Sequence, residues 1–123
     1  MSNKTLVTIL GVVLLAIGLL GFINDPVLGL FDVNGAHNVI HLASGALAFL
    51  LLARGEAGAI LAGKIMAVVY GLVTVLGFIQ VPDGGLLLGL MEVNTMDHIL
   101  HLILTVAFAY VGFVNRQASV VTV

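Results

Sequence analysis

The sequence predicts an all-α membrane protein, with four transmembrane helices arranged as two parallel two-helix repeats in one bundle and interfacial outer loops. Three observations carry this expectation: apolar residues gathered in blocks of spanning length, basic residues confined to one side, and a chain written twice. Of the 123 residues, 61% are apolar and 8% charged, and the mean hydropathy is +1.25. A soluble domain of this size exposes most of its surface and needs far more charge to stay dissolved. The length suits one transmembrane domain over residues 1–123.

The helices are expected at about residues 6–23, 36–53, 58–79 and 96–114. Leu6 to Ile23 and Ile65 to Val81 are unbroken uncharged runs, and Ala36 to Ala53 and Met96 to Val114 carry polar residues only near their first turns. Each block is close to the roughly 20 residues that cross a hydrocarbon core about 30 Å thick. The first block follows Lys4, as a signal peptide would, but no small-x-small cleavage site stands at Gly21 to Asn24, and the segment recurs internally.

The repeat halves are about 6–53 and 58–114. The run Gly11 to Ile23 lines up with Ala67 to Ile79, Gly29-Leu-Phe-Asp-Val-Asn34 with Gly89-Leu-Met-Glu-Val-Asn94, and His41-Leu42 with His101-Leu102. Two helices per unit give both halves one orientation, related by an axis along the membrane normal.

Lys4, Arg54, Lys64 and Arg116 fall on one side of this topology, and Asp25, Asp32, Asp83, Glu92 and Asp97 on the other, with only Glu56 among the bases. The positive-inside rule then puts both termini in the cytoplasm of a bacterial-type plasma membrane, with the acidic loops and the histidines outside. Within the outer loops, Val27 to Phe31 and Leu86 to Met91 are too short to span and too apolar for free loops. They are expected in the interface, with Pro26 and Pro82 starting turns and Gly29 and Gly89 permitting sharp bends. In the third helix Ala59, Gly63, Ala67 and Gly71 form a small-residue stripe suited to close helix packing, inside the bundle or against a homo-oligomer or larger membrane complex.

All four histidines stand in the first two turns of the second helix of each repeat, in Asn34-Gly-Ala-His37-Asn38-Val-Ile-His41 and Asn94-Thr-Met-Asp97-His98-Ile-Leu-His101. Asn34 and Asn94 are in position to cap, and Asp97 suits a helix first turn. At about 100° per residue, His37 and His41 share one helix face, as do Asp97 and His101, while His98 lies about 60° from His101. Neutral imidazole binds metal and relays protons, so His37, His41, Asp97 and His101 are candidate ligands, with His98 a weaker one.

The reading that asks least is structural: each histidine bonds to Asn38, a loop carbonyl or water, no cofactor is held, and the protein is a non-enzymatic accessory or scaffold. The alternative is a zinc-type metal or haem site, or a metal-dependent enzyme at the outer leaflet. Haem between His41 and His101 would force four small helices apart. A transporter is disfavoured because every ionisable group lies near an interface. A serine hydrolase is disfavoured because Ser44 lacks a Gly-x-Ser-x-Gly elbow. The chain has no cysteine, which excludes disulfides and thiolate sites, and a net charge of −2 without a basic cluster excludes nucleic acid.

The string Gly29-Leu-Phe-Asp-Val-Asn-Gly-Ala-His-Asn-Val-Ile-His-Leu42, with a second Asn-x-x-Asp-x-x-x-His-Leu at 94–102, resembles the small four-helix membrane family catalogued as domain of unknown function 4383. The resemblance covers nearly the whole chain and implies four membrane helices with no assigned biochemical role. On its pattern Asn34, His37, Asn38, His41, Asn94, Asp97 and His101 carry over. His98 departs, since the family more often has asparagine there.

Overall fold

The computed structural model describes residues 1–115, so Arg116 lies outside the described residues. It is predominantly helical, and four of its helices are long and apolar enough to cross a membrane. Ser2 opens α1 (Asn3–Gly21) by accepting the Thr5 N–H, which extends the helix through the polar residues before Leu6. Asn34 and Asn94 cap α2 (Gly35–Leu52) and α4 (Thr95–Ala109) through the amides of His37 and Asp97. Between them runs α3 (Glu56–Gln80), and a π-helical turn at Tyr110–Val114 continues α4. Helix α1 packs most extensively on α2, and α3 on α4.

Two buried clusters fill the bundle. Leu14, Met66, Ala67, Tyr70, Leu104 and Phe108 form one, and Val7, Ala48, Ala59, Ala62 and Val111 the other. The outward faces carry Leu19, Leu50, Leu72, Ile79 and Val106, a belt of exposed apolar side chains that water would not tolerate at this extent. Ala59 and Ala67 of the small-residue stripe face these clusters. At Gly63 a Cβ would stand 2.6 Å from the Gly112 nitrogen, whereas at Gly71 its nearest neighbour would be Thr105 Cγ2 at 3.4 Å.

The helix at Glu56 starts earlier than its apolar run, so Lys64 lies two turns inside α3 rather than beside the α2–α3 link. Its side chain is exposed, with Nζ 5.9 Å over the Phe113 ring, and a flexible four-carbon stem lets it reach the helix end.

The fold departs from an all-α one in the loop between α3 and α4. There β1 (Gly85–Leu87) pairs antiparallel with β2 (Met91–Val93), while a single bridge, Val27 to Phe31, marks the first loop. Three-residue strands are too short for alternation to announce them in the sequence. Alternate residues Leu87, Met91 and Val93 face inward onto Ile40, Val73, Leu76 and Val81. Both loops therefore lie folded onto the bundle, with Val27 and Val33 also buried, and their leucines at 28, 30, 86, 88 and 90 point away. At each tip a leucine precedes a glycine and both take positive φ: Leu28 (54°) and Gly29 (70°), Leu88 (56°) and Gly89 (66°). Backbone of this hand twists with the flanking strands, which makes a tight turn that suits glycine and strains leucine.

Candidate functional site

The N-terminal ends of α2 and α4 are clamped by a reciprocal pair of bonds. Asn34 Nδ2 donates to the Leu90 carbonyl (3.0 Å) in the opposite loop, and Asn94 Nδ2 donates to the Leu30 carbonyl (2.8 Å) in the first. Each asparagine thus uses its oxygen to cap its own helix and its nitrogen to hold the other loop down. Asp97 completes a capping box by accepting the Asn94 N–H at 2.9 Å. Asp25 Oδ1 accepts the Val33 N–H at 3.2 Å, fixing the approach to Asn34.

Beneath this clamp, three rings meet. His37 and His41 stack edge-on with centroids 4.4 Å apart, and His101 crosses from α4 to within 5.5 Å of His37 and 5.9 Å of His41. One nitrogen of each ring can be chosen so that all three lie within 4.8 Å of one another. None of the three side chains is more than 1% exposed.

Hydrogen bonding fixes one tautomer. A carbonyl only accepts, so the 2.6 Å contact of His37 Nδ1 with the Glu92 oxygen puts the proton on Nδ1 and leaves a lone pair on Nε2. Among the described residues that Nε2 has no hydrogen-bond partner, nor does either nitrogen of His41, nor Nδ1 of His101. Each such group buried without a partner costs about 1–3 kcal/mol.

Two sequence candidates stand outside the trio. Asp97 is engaged in its capping box, although Oδ1 is buried without a partner. His98 turns toward α3: Nε2 donates to the Val81 carbonyl at 2.7 Å, and its ring lies 5.1 Å from that of Phe78. It fills the hollow left by Gly77, where a Cβ would come within 2.6 Å of His98 Nδ1. Asn38 behaves likewise toward α1, since a Cβ on Gly21 would overlap its side-chain oxygen.

One neighbour was not among the candidates. Tyr70 of α3 lies with its ring centroid 5.7 Å from His101 and 6.4 Å from His41, and its hydroxyl is buried without a hydrogen-bond partner among the described residues. A signal existed, because Tyr70 stands opposite Leu14 when the two stretches of sequence are aligned and is the first polar side chain after Lys64 in α3.

A family model described as a domain of unknown function (DUF4383) matches residues 4–114. No curated protein and no solved structure matches the chain.

Proposed function

The chain belongs to that family of unknown function, and from this premise we propose that it is a membrane-embedded metal-binding protein whose ligands are His37, His41 and His101. The observation that carries this is the convergence of three fully buried imidazoles, each with at least one ring nitrogen that has no partner among the described residues. A structural role accounts for His98, which ties α4 to the end of α3, and for one nitrogen of His37. It leaves His41 with both nitrogens unsatisfied, and a bound cation would occupy the one that carries the lone pair.

The donor set suits the metal. Three neutral imidazoles and no thiolate favour zinc or copper over magnesium or calcium. The Glu92 carbonyl on His37 Nδ1 is the outer acceptor that metal-bound histidines usually have. Tetrahedral ligands at about 2.1 Å from zinc stand about 3.4 Å apart, so rotation of the rings inward from their present spacing would complete the site.

The halves act as two parallel repeats about an axis along the membrane normal, a relation supported by the reciprocal Asn34 and Asn94 clamps. The basic ends face the cytoplasm and the clamped loops cover the metal from outside, as the asymmetry of Lys4, Arg54 and Lys64 against the acidic loops supports.

The test is elemental analysis of the purified full chain after exposure to zinc or copper and removal of excess. One ion per chain is expected, lost in both His41→Ala and His101→Ala and kept in His98→Ala. Absence of stoichiometric metal in the unaltered protein, with additive stability costs for the two alanine changes, would return the cluster to a structural role.

A further inference from the structure

A divalent cation on three neutral imidazoles carries its full charge into a low-dielectric bundle, which is costly unless an anion joins it. Two acidic side chains are buried nearby. Asp97 stands outside the histidine group, with one oxygen held by the Asn94 amide. Tyr70 packs its ring against two of the three histidines and is only 1% exposed.

The Tyr70 hydroxyl comes near Ser44, whose oxygen could accept from it, but no hydrogen bond of good geometry joins the two. Thr74 and Ser44, the nearby alcohols, donate to carbonyls of their own helices, Tyr70 O and Ile40 O, each at 2.7 Å. Leu14, its counterpart in the repeat, shares the same buried cluster, so packing there does not require an oxygen. A buried hydroxyl without a partner is a net cost where a hydrocarbon would serve.

We propose that Tyr70 is the fourth ligand of this site, its phenol oxygen binding the metal as phenolate. The proposal rests on the three-histidine reading above. Ligation releases the phenol proton to solvent, as metal binding to protonated ligands does. Phenolate oxygen is an established metal donor, as in the tyrosine-ligated haem iron of catalase. Three nitrogens from α2 and α4 and one oxygen from α3 would give a closed, four-coordinate centre tying three helices together. A closed site marks a structural or electron-carrying metal rather than a hydrolytic one, which keeps an open position for water.

Copper(II) is the probe, because it binds nitrogen and oxygen donors most tightly of the divalent series and phenolate ligation gives it a visible charge-transfer absorption. The full chain in detergent, loaded with one equivalent of Cu²⁺, should show that band. Tyr70→Phe, which keeps the ring and its packing, should lose the band while still binding copper stoichiometrically through the histidines. Copper bound by both proteins with identical visible spectra would overturn Tyr70 as a ligand and leave the histidine site standing. Failure of the unaltered protein to bind copper at all would overturn the histidine site, and the ligand assignment with it.

Discussion

Asn38 and His98 align when Gly29–Leu42 is set against Gly89–Leu102, and each fills a hollow at a glycine on the preceding helix, Gly21 or Gly77. That pairing explains why His98, one position from Asp97, does not join the other histidines. Gly77→Ala should push the His98 ring off the Val81 carbonyl and lower stability by about 1–3 kcal/mol, the usual cost of overpacking. Thermal unfolding in detergent measures it, and the double variant with His98→Ala should cost less than the two changes summed. An unchanged melting temperature would mean the ring moves freely, and the tie would then be worth nothing. The spacing of His37 and His41 made their shared face readable from the sequence. A helical wheel, however, gives angles without neighbours. It cannot tell that His98 meets α3 while His101, one turn on, meets α2.

At the scale of elements, four helices long and apolar enough to span a membrane were legible in the hydropathy blocks, and the asparagine caps in their position just before the apolar runs. The loops were legible only as apolar. Their inward valines and outward leucines depend on a hairpin and a bridge too short to leave a periodic signature. The α3 stripe was readable as small, but its four members do not do equal work. At Gly63 an added methyl would meet the backbone of Gly112 in the π-helical turn and the Phe108 carbonyl at the end of α4, neither of which can rotate away. At Gly71 it would reach only a methyl of Thr105 at ordinary contact distance. Gly63→Ala should therefore cost about 1–3 kcal/mol through separation of α3 from α4. Gly71→Ala should be neutral or stabilising by up to about 1 kcal/mol, since alanine is the better helix former. Equal melting temperatures for the two variants would refute this account of the helix crossing.

The whole molecule has two chemically different ends. At one, Asn3 Nδ2 donates to the Asn115 carbonyl and Asn115 Nδ2 to that of Met1, which binds the start of α1 to the end of α4. Lys4 and Arg54 stand at this end, and Lys64 reaches toward it along α3. At the other end, Asn34 and Asn94 lock two acidic loops over the buried histidines. Translocating a lysine or arginine across a bilayer is disfavoured far more consistently than translocating an acid, so the basic end should stay in the cytoplasm. The absence of cysteine from the chain makes this directly measurable. Asp83 and Glu56 are both acids, stand in or beside turns at opposite ends of α3, and lie outside the histidine cluster. A single cysteine at Asp83 should react with an impermeant thiol reagent applied to intact cells, and one at Glu56 only after permeabilisation. Comparing two replaced acids removes side-chain charge as the cause of any difference. The reverse labelling pattern would put the histidine end in the cytoplasm. The metal site would then draw on the cytoplasmic metal pool, where glutathione favours the reduced state.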